Sequence, residues 1–258
     1  DPASLALLRY LIGVCFLLPP TLLAGRAAFR QRDLVPIALL GIGQFGILIV
    51  LLNFGLQHVG SGRAALIFSS FPLMTMVLAA ILGQERLTGH KTAGVLLTIL
   101  GVALVFGEKA FEGGAGSDWR GELAVLASAF CGAVCSVLYR PYLGRYPPLA
   151  VSTMAMFAAV LFLAVLAARE GFFDAVPSFS AGGWVAVGFI GFASGLGYYL
   201  WLWALKHTTP TRVTVFLCLS PATAAVFGAW FLAETVTWPF LLGLVAVGVG
   251  LAMAHRDG

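Results

Sequence analysis

The stretch PLMTMVLAAILGQERLTGHKTAGVLLTILG (72–101) decides the fold, because PATAAVFGAWFLAETVTWPFLLGLVAVGVG (221–250) repeats its frame 149 residues later. Without a gap, Pro72 falls on Pro221, Glu85 on Glu234, Thr88 on Thr237, Gly94 on Gly243 and Gly101 on Gly250. The same register carried upstream places His58 on His207 and Arg63 on Arg212. A biased composition aligns hydrophobic residues by chance, but it rarely aligns His, Arg, Pro and Glu together. The chain is an internal duplication.

Composition states what the duplicated unit is made of. Of the 258 residues, 60% are hydrophobic and 10% charged, against roughly 25% charged in a soluble domain. The mean hydropathy of +0.97 leaves little polar surface for water. A bilayer core of ~30 Å takes about 20 apolar residues as helix. By that measure the chain holds nine spans, at 3–24, 34–58, 62–83, 91–107, 119–139, 148–168, 183–206, 211–233 and 238–254. Open sheets are excluded, since lipid satisfies no unpaired backbone group. The formal charge of +4 carries no basic run, zinc spacing or RNA-binding signature, so nucleic acid is not an expected partner.

The second copy has five spans and the first has four. The counterpart of 119–139 would lie upstream of Asp1. The expected fold is therefore an all-α integral membrane protein of two structural repeats of five transmembrane helices, ten in the intact protein and nine visible here. The first repeat covers 1–107 without its first helix, 108–118 is the inter-repeat loop, and 119–258 is the second repeat. An odd number of spans per repeat inverts the two copies. Basic residues divide ten to four between the two sides, with Arg26, Arg30, Arg86, Arg140 and Arg145 among the ten. The positive-inside bias then puts the C-terminus in the cytoplasm.

Enzyme signatures are missing: there is no HExxH, no GxSxG, and no carboxylate pair inside a span. All eleven acidic residues lie in loops or within about a turn of a span end. No metal set or cofactor motif is expected. Cys131 and Cys135 share a helix face without a neighbouring His or carboxylate and read as packing, like Cys15 and Cys218. Arg9, two turns into the first span, reads as an arginine that snorkels to the outer interface in preference to one that contacts a substrate.

Pro72 and Pro221 stand ten residues into their spans, which at 1.5 Å per residue is a depth of ~15 Å, the bilayer midplane. Each removes a backbone donor and frees the carbonyl four residues earlier, with Ser69, Ser70 and Ser220 close enough to help satisfy it. Helices broken at matching midplane positions point to a carrier's hinge or binding cavity. Gln44, near mid-depth in 34–58, either lines that cavity or hydrogen-bonds neighbouring helices. The cluster Tyr198, Tyr199, Trp201 and Trp203 reads partly as an interfacial belt and partly as a stacking wall, with Tyr198 and Trp201 the deeper pair. Glu85 and Glu234 close their spans and read as caps paired with a basic group. Gly94, Gly101, Gly243, Gly248 and Gly250 permit close helix contact.

The repeated frame P-x₁₂-E with Thr at +3 and glycines at +9 and +16, together with LRYLIGVCFLLPP (8–20), resembles the EamA-type branch of the drug/metabolite transporter superfamily. Within that branch the chain is most similar to bacterial inner-membrane amino-acid exporters of the YddG type. The resemblance implies ten helices around a central cavity and transport by alternating access. The cavity helices would be 34–58, 62–83, 183–206 and 211–233. The implied substrate is an aromatic or other neutral amino acid, the alternatives being another cargo (a drug, sugar or nucleotide derivative) or a membrane scaffold that transports nothing. The kinks and the aromatic cluster themselves suggest a zwitterion held by backbone and hydroxyl dipoles, with its side chain against Phe71, Tyr198 and Trp201. Gln44, Ser69, Ser70 and Ser220 complete the expected binding residues, and Pro72 and Pro221 the hinge. The expected partners are the lipid bilayer and the substrate. Oligomeric state is left open, a monomer being plausible.

Overall fold

The computed structural model describes residues 2–25, 28–112, 119–173, 180–220, 223 and 238–256. Among the described residues every regular element is helical. In chain order they are α1 (Pro2–Leu23), α2 (Gln31–Gly41), a π-helical turn (Ile42–Ile47), α3 (Leu48–His58), α4 (Ser61–Phe68), α5 (Phe71–Ile81) and α6 (Gly89–Glu112). There follow α7 (Trp119–Leu138), α8 (Arg140–Leu143), α9 (Pro148–Arg169), α10 (Ala181–His207), α11 (Pro210–Val215), a 3₁₀ turn (Phe216–Cys218) and α12 (Trp238–Arg256).

Six stretches are long and apolar enough to cross a membrane: Ala3–Leu23, Gln31–His58, Ser61–Ile81, Trp119–Leu143, Pro148–Arg169 and Ala181–His207. Gly89–Leu104 and Leu241–Ala254 are shorter apolar helices. These eight fall on eight of the nine expected spans. Most of the remaining one, 211–233, lies outside the described residues, and with it Pro221 and Glu234. Leu22, Ile81, Leu161, Val185 and Phe189 are each more than half exposed. So many large apolar side chains facing outward suit a lipid surrounding.

The helices gather into two compact units, Asp1–Val50 with Leu138–His207, and Leu51–Val137 with Thr208–Gly258. In the first unit α1 runs antiparallel to α9. At one end Glu170 accepts from Ser4 Oγ at 2.7 Å and from the N–H groups of Ser4 and Ala3 at 2.9 and 3.2 Å. At the other end the hydroxyls of Thr21 and Thr153 share a 2.7 Å hydrogen bond. The 149-residue shift turns Ser4 into Thr153 and Thr21 into Glu170, so the two ties exchange places under the repeat. A third polar contact, in the same unit, holds the start of α2. Buried Asp33 accepts from Tyr146 Oη at 2.7 Å, and Tyr146 Oη accepts the Arg30 N–H at 3.1 Å.

In the second unit α6 runs antiparallel to α12. A Cβ on Gly94 would stand 2.7 Å from the Gly250 carbonyl oxygen, and one on Gly101 would stand 2.7 Å from that of Gly243. Gly94 and Gly243 are repeat partners, as are Gly101 and Gly250, so this crossing has the same exchanged pairing. Only glycine leaves room for backbones to meet this closely. Gly248 departs from expectation, since a Cβ there would meet nothing within 4 Å. It sits on the face of α12 turned away from α6.

The Glu170 tie carries a pH dependence. Burial raises its carboxyl, but the Ser4 hydroxyl and the two N–H donors outweigh burial and hold it below the usual carboxylate range. A depressed carboxylate contributes stability above its unfolded-state pKa and loses it as pH falls through the folded value. Unfolding midpoints in detergent should therefore separate wild type from Ser4→Ala at neutral pH and converge on acidification. A gap independent of pH would mean that Glu170 is not held this way.

Candidate functional site

Both copies of the repeat interrupt their helix at the same place. Pro72 has no N–H, so α4 cannot continue through it, and the chain restarts as α5 with Pro72 in its first turn. Between them the Ser70 N–H turns back to Ile67 O at 3.1 Å. The hydroxyls of Ser69 and Ser70 donate to Leu66 O (2.6 Å) and Ile67 O (2.7 Å). They satisfy the carbonyls just before that of Phe68, which is the one facing the proline. In the second copy the interruption is the 3₁₀ turn Phe216–Cys218 that follows the six-residue α11. The expected kink at Pro72 is thus a break into two helices.

The two interruptions line one cavity of about 290 Å³ in the second unit. Phe68 and Ser69 contribute from the first copy, and their repeat partners Leu217 and Cys218 from the second. Leu52, Leu56, Ala65 and Pro72 add apolar wall, while Ser61 and Ser220 add hydroxyls. Ser69, Ser220 and Pro72, chosen from the sequence, are therefore brought together. Ser70 is half-buried beside them, outside the cavity lining. Phe71 is fully buried, with its ring edge-on to Phe68 at 5.5 Å, and it does not line the cavity.

One wall of this cavity hangs on an ion pair inside the protein. Glu85 Oε2 accepts from Lys91 Nζ at 2.7 Å, and Glu85 Oε1 accepts the Thr211 N–H at 2.9 Å. The two side chains are 0% and 6% exposed. One carboxylate therefore joins the segment after α5, the start of α6 and the start of α11, which runs directly into the 3₁₀ turn. The expectation of a cap paired with a basic group holds for Glu85. The N–H partner 126 residues away left no local signal.

Gln44, Tyr198 and Trp201 belong to the first unit. Gln44 stands in the π-helical turn, a distortion that occurs frequently at functional sites. Its Oε1 is buried and accepts no hydrogen bond among the described residues. Tyr198 is 6% exposed, edge-on to Phe45 at 4.1 Å, and Phe45 in turn meets Tyr10 at 4.7 Å. Trp201 is half-buried. Trp203 is nearly half exposed and lies over His207 at 4.4 Å, as an interfacial belt residue does. The pair Phe54 and His58, its repeat counterpart, repeats that geometry at 4.3 Å. Each histidine Nδ1 lies 2.8 Å from the carbonyl four residues before it.

Known proteins are similar to this chain in fold and in sequence. A solved crystal structure superposes on the whole chain with a TM-score of 0.87, at 22% identity and over 90% of its own length. A probable terminal-alkyne amino-acid exporter of Streptantibioticus cattleyicolor is 33% identical over 86% of this chain and 72% of its own. A probable amino-acid metabolite efflux pump of Salmonella typhimurium is 28% identical over 91% of this chain and 85% of its own. An uncharacterized transporter of Archaeoglobus fulgidus is 27% identical over 99% and 90%. The profile of the EamA-like transporter family matches residues 1–107 and again 119–255, once for each copy of the repeat. Two copies of one unit, broken helices around a cavity and helices clad in apolar side chains thus have a single source: the chain belongs to the EamA-like transporter family of multi-pass membrane transporters.

Proposed function

We propose that this protein exports neutral amino acids, aromatic ones among them, across the bacterial inner membrane by alternating access. The observation that carries the reading is the cavity between the two repeat-related helix breaks. At about 290 Å³ it lies at the small end of ligand pockets, which run to ~300–1,000 Å³. That size suits an amino acid better than a nucleotide derivative. Its walls are apolar with a few hydroxyls, which favours a neutral cargo with an apolar side chain and disfavours a sugar, whose many hydroxyls would lack partners. The relatives named as amino-acid exporters and efflux pumps support the same substrate class.

The ten-helix arrangement of two inverted five-helix repeats, 1–107 and 119–258, is part of this proposal. The exchanged pairings support it. Repeat-related helices that met parallel would place Gly94 beside its own partner Gly243. Gly94 meets Gly250 instead, and Ser4 meets Glu170, as two copies running in opposite directions require. Opposed copies can exchange roles as the cavity opens to one side and then the other. Pro72 and Pro221 serve as the hinge, Ser69 and Ser220 contact the substrate in the cavity, and the C-terminus is cytoplasmic.

The test is uptake of labelled phenylalanine, tryptophan and alanine into proteoliposomes. Saturable flux that unlabelled amino acids compete away is the expected result. Ala65→Trp, which fills the cavity, should lower that flux by about tenfold or more while the protein still folds, since overpacking excludes the ligand. Undiminished transport in folded Ala65→Trp protein would remove the cavity from the path. Absence of flux for every amino acid tried would overturn the substrate class.

A further inference from the structure

Arg9 lies inside the span Ala3–Leu23. An arginine in hydrocarbon is expensive and is expected to face protein or a wet path. Its Nε donates to Ser194 Oγ at 2.6 Å, and its guanidinium carbon stands 5.0 Å from the centre of the Tyr10 ring. Ser194 sits midway along the 27 residues of α10. The head group is thus anchored at the middle of a neighbouring helix, and the snorkelling expected from sequence is not what the structure has. Among the described residues no carboxylate bonds or pairs with it.

The repeat supplies an internal control on whether packing needs this charge. The counterpart of Arg9 is Ala158, that of Tyr10 is Ala159, and that of Ser194 is Phe45. The crossing of α1 and α10 brings Gly13 against Gly195, and its counterpart in the same unit brings Phe162 against Gly46. That second crossing is built without an ion. The first does not require one for packing, so the guanidinium answers to something else. With Nε engaged by Ser194, the two terminal nitrogens are left as a fork that fits two oxygens of one anion.

We propose that Arg9 is an oxyanion-binding residue that takes the carboxylate of the transported amino acid during its passage, with Ser194 as its positioning residue. This inference rests on the amino-acid reading above and adds the group that recognises the carboxylate. A lipid phosphate offers the same oxyanion chemistry, and vesicle composition separates the two.

The experiment compares phenylalanine with phenylalaninamide, which lacks the carboxylate, as substrates of wild type, Arg9→Gln, Arg9→Lys and Ser194→Ala in proteoliposomes. Each protein is measured in phosphatidylcholine vesicles with and without phosphatidylglycerol. Wild type should prefer phenylalanine. Arg9→Gln should raise the KM for phenylalanine about tenfold or more, the loss of a charge-assisted hydrogen-bond pair, and leave the amide unchanged. Arg9→Lys should recover part of the preference, and Ser194→Ala should raise KM with little change in kcat. An unchanged phenylalanine-to-amide ratio in Arg9→Gln overturns the inference and leaves amino-acid export standing. Equal losses for both substrates that follow phosphatidylglycerol content assign Arg9 to lipid and also overturn it. Transport of neither substrate by wild type fells the amino-acid reading, and this inference with it. Should Arg9→Gln fail to fold, the same ratio in Ser194→Ala decides the matter.

Discussion

Lys91→Met is expected to destabilise the protein by about 3–5 kcal/mol, the usual result of stripping a buried charge of its partner. Glu85 would keep the Thr211 N–H and lose the ammonium at 2.7 Å, in a place where its side chain has no exposure. Water cannot replace the lost partner, so a carboxylate without a counter-ion remains in an apolar interior. The effect should appear as a lowered unfolding midpoint in detergent. Glu85→Ala should be as severe, because it orphans Lys91 and the start of α11 together. The double variant Glu85→Gln/Lys91→Met is the sharper test. Glutamine keeps an acceptor for Thr211 and removes the charge, so the pair should recover most of the loss. Two single variants at wild-type stability, or a double variant whose loss equals their sum, would show that the two groups do not act as one.

Gly94→Leu and Gly101→Leu should each cost about 3 kcal/mol or more, the upper end of overpacking effects. The obstacle is main chain: a Cβ on Gly94 stands 2.6 Å from the Ala254 nitrogen, and one on Gly101 stands 2.8 Å from the Val247 nitrogen. Backbone in a packed helix does not step aside as a side-chain tip does, so α6 and α12 must separate. Gly248→Leu is the control. It lies on the same helix as Gly250 with nothing within 4 Å, and it should leave the unfolding midpoint unchanged. Equal behaviour of all three would mean that the close crossing does not exist in the membrane.

Much of the fold is legible in the sequence because a bilayer admits so few solutions. Eight apolar helical stretches lie where apolar length placed them, and the register that joins Pro72 to Pro221 and Glu85 to Glu234 was visible in rare residues. The cavity was legible in part. Ser69, Pro72 and Ser220 could be chosen because proline in a helix has a necessary consequence for the backbone, wherever the helix ends up. Phe71, one residue earlier, turned away from the cavity into a ring contact with Phe68. Side-chain direction on a helix that is apolar all round leaves no periodicity to read.

The order of residues alone makes this a membrane-spanning, helical, duplicated chain that carries none of the catalytic motifs of an enzyme. Those properties follow from hydropathy, backbone satisfaction and self-similarity, and none of them depends on which helix neighbours which. How the helices cross is what brings Gly94 to Gly250, Ser4 to Glu170, the Glu85 carboxylate to the N–H of Thr211, and Arg9 to Ser194. Each of these contacts joins residues more than a hundred positions apart. Contacts of that span are set by how whole helices cross, and lipid-facing and protein-facing apolar side chains are alike in composition, so the chain's order carries no mark of them.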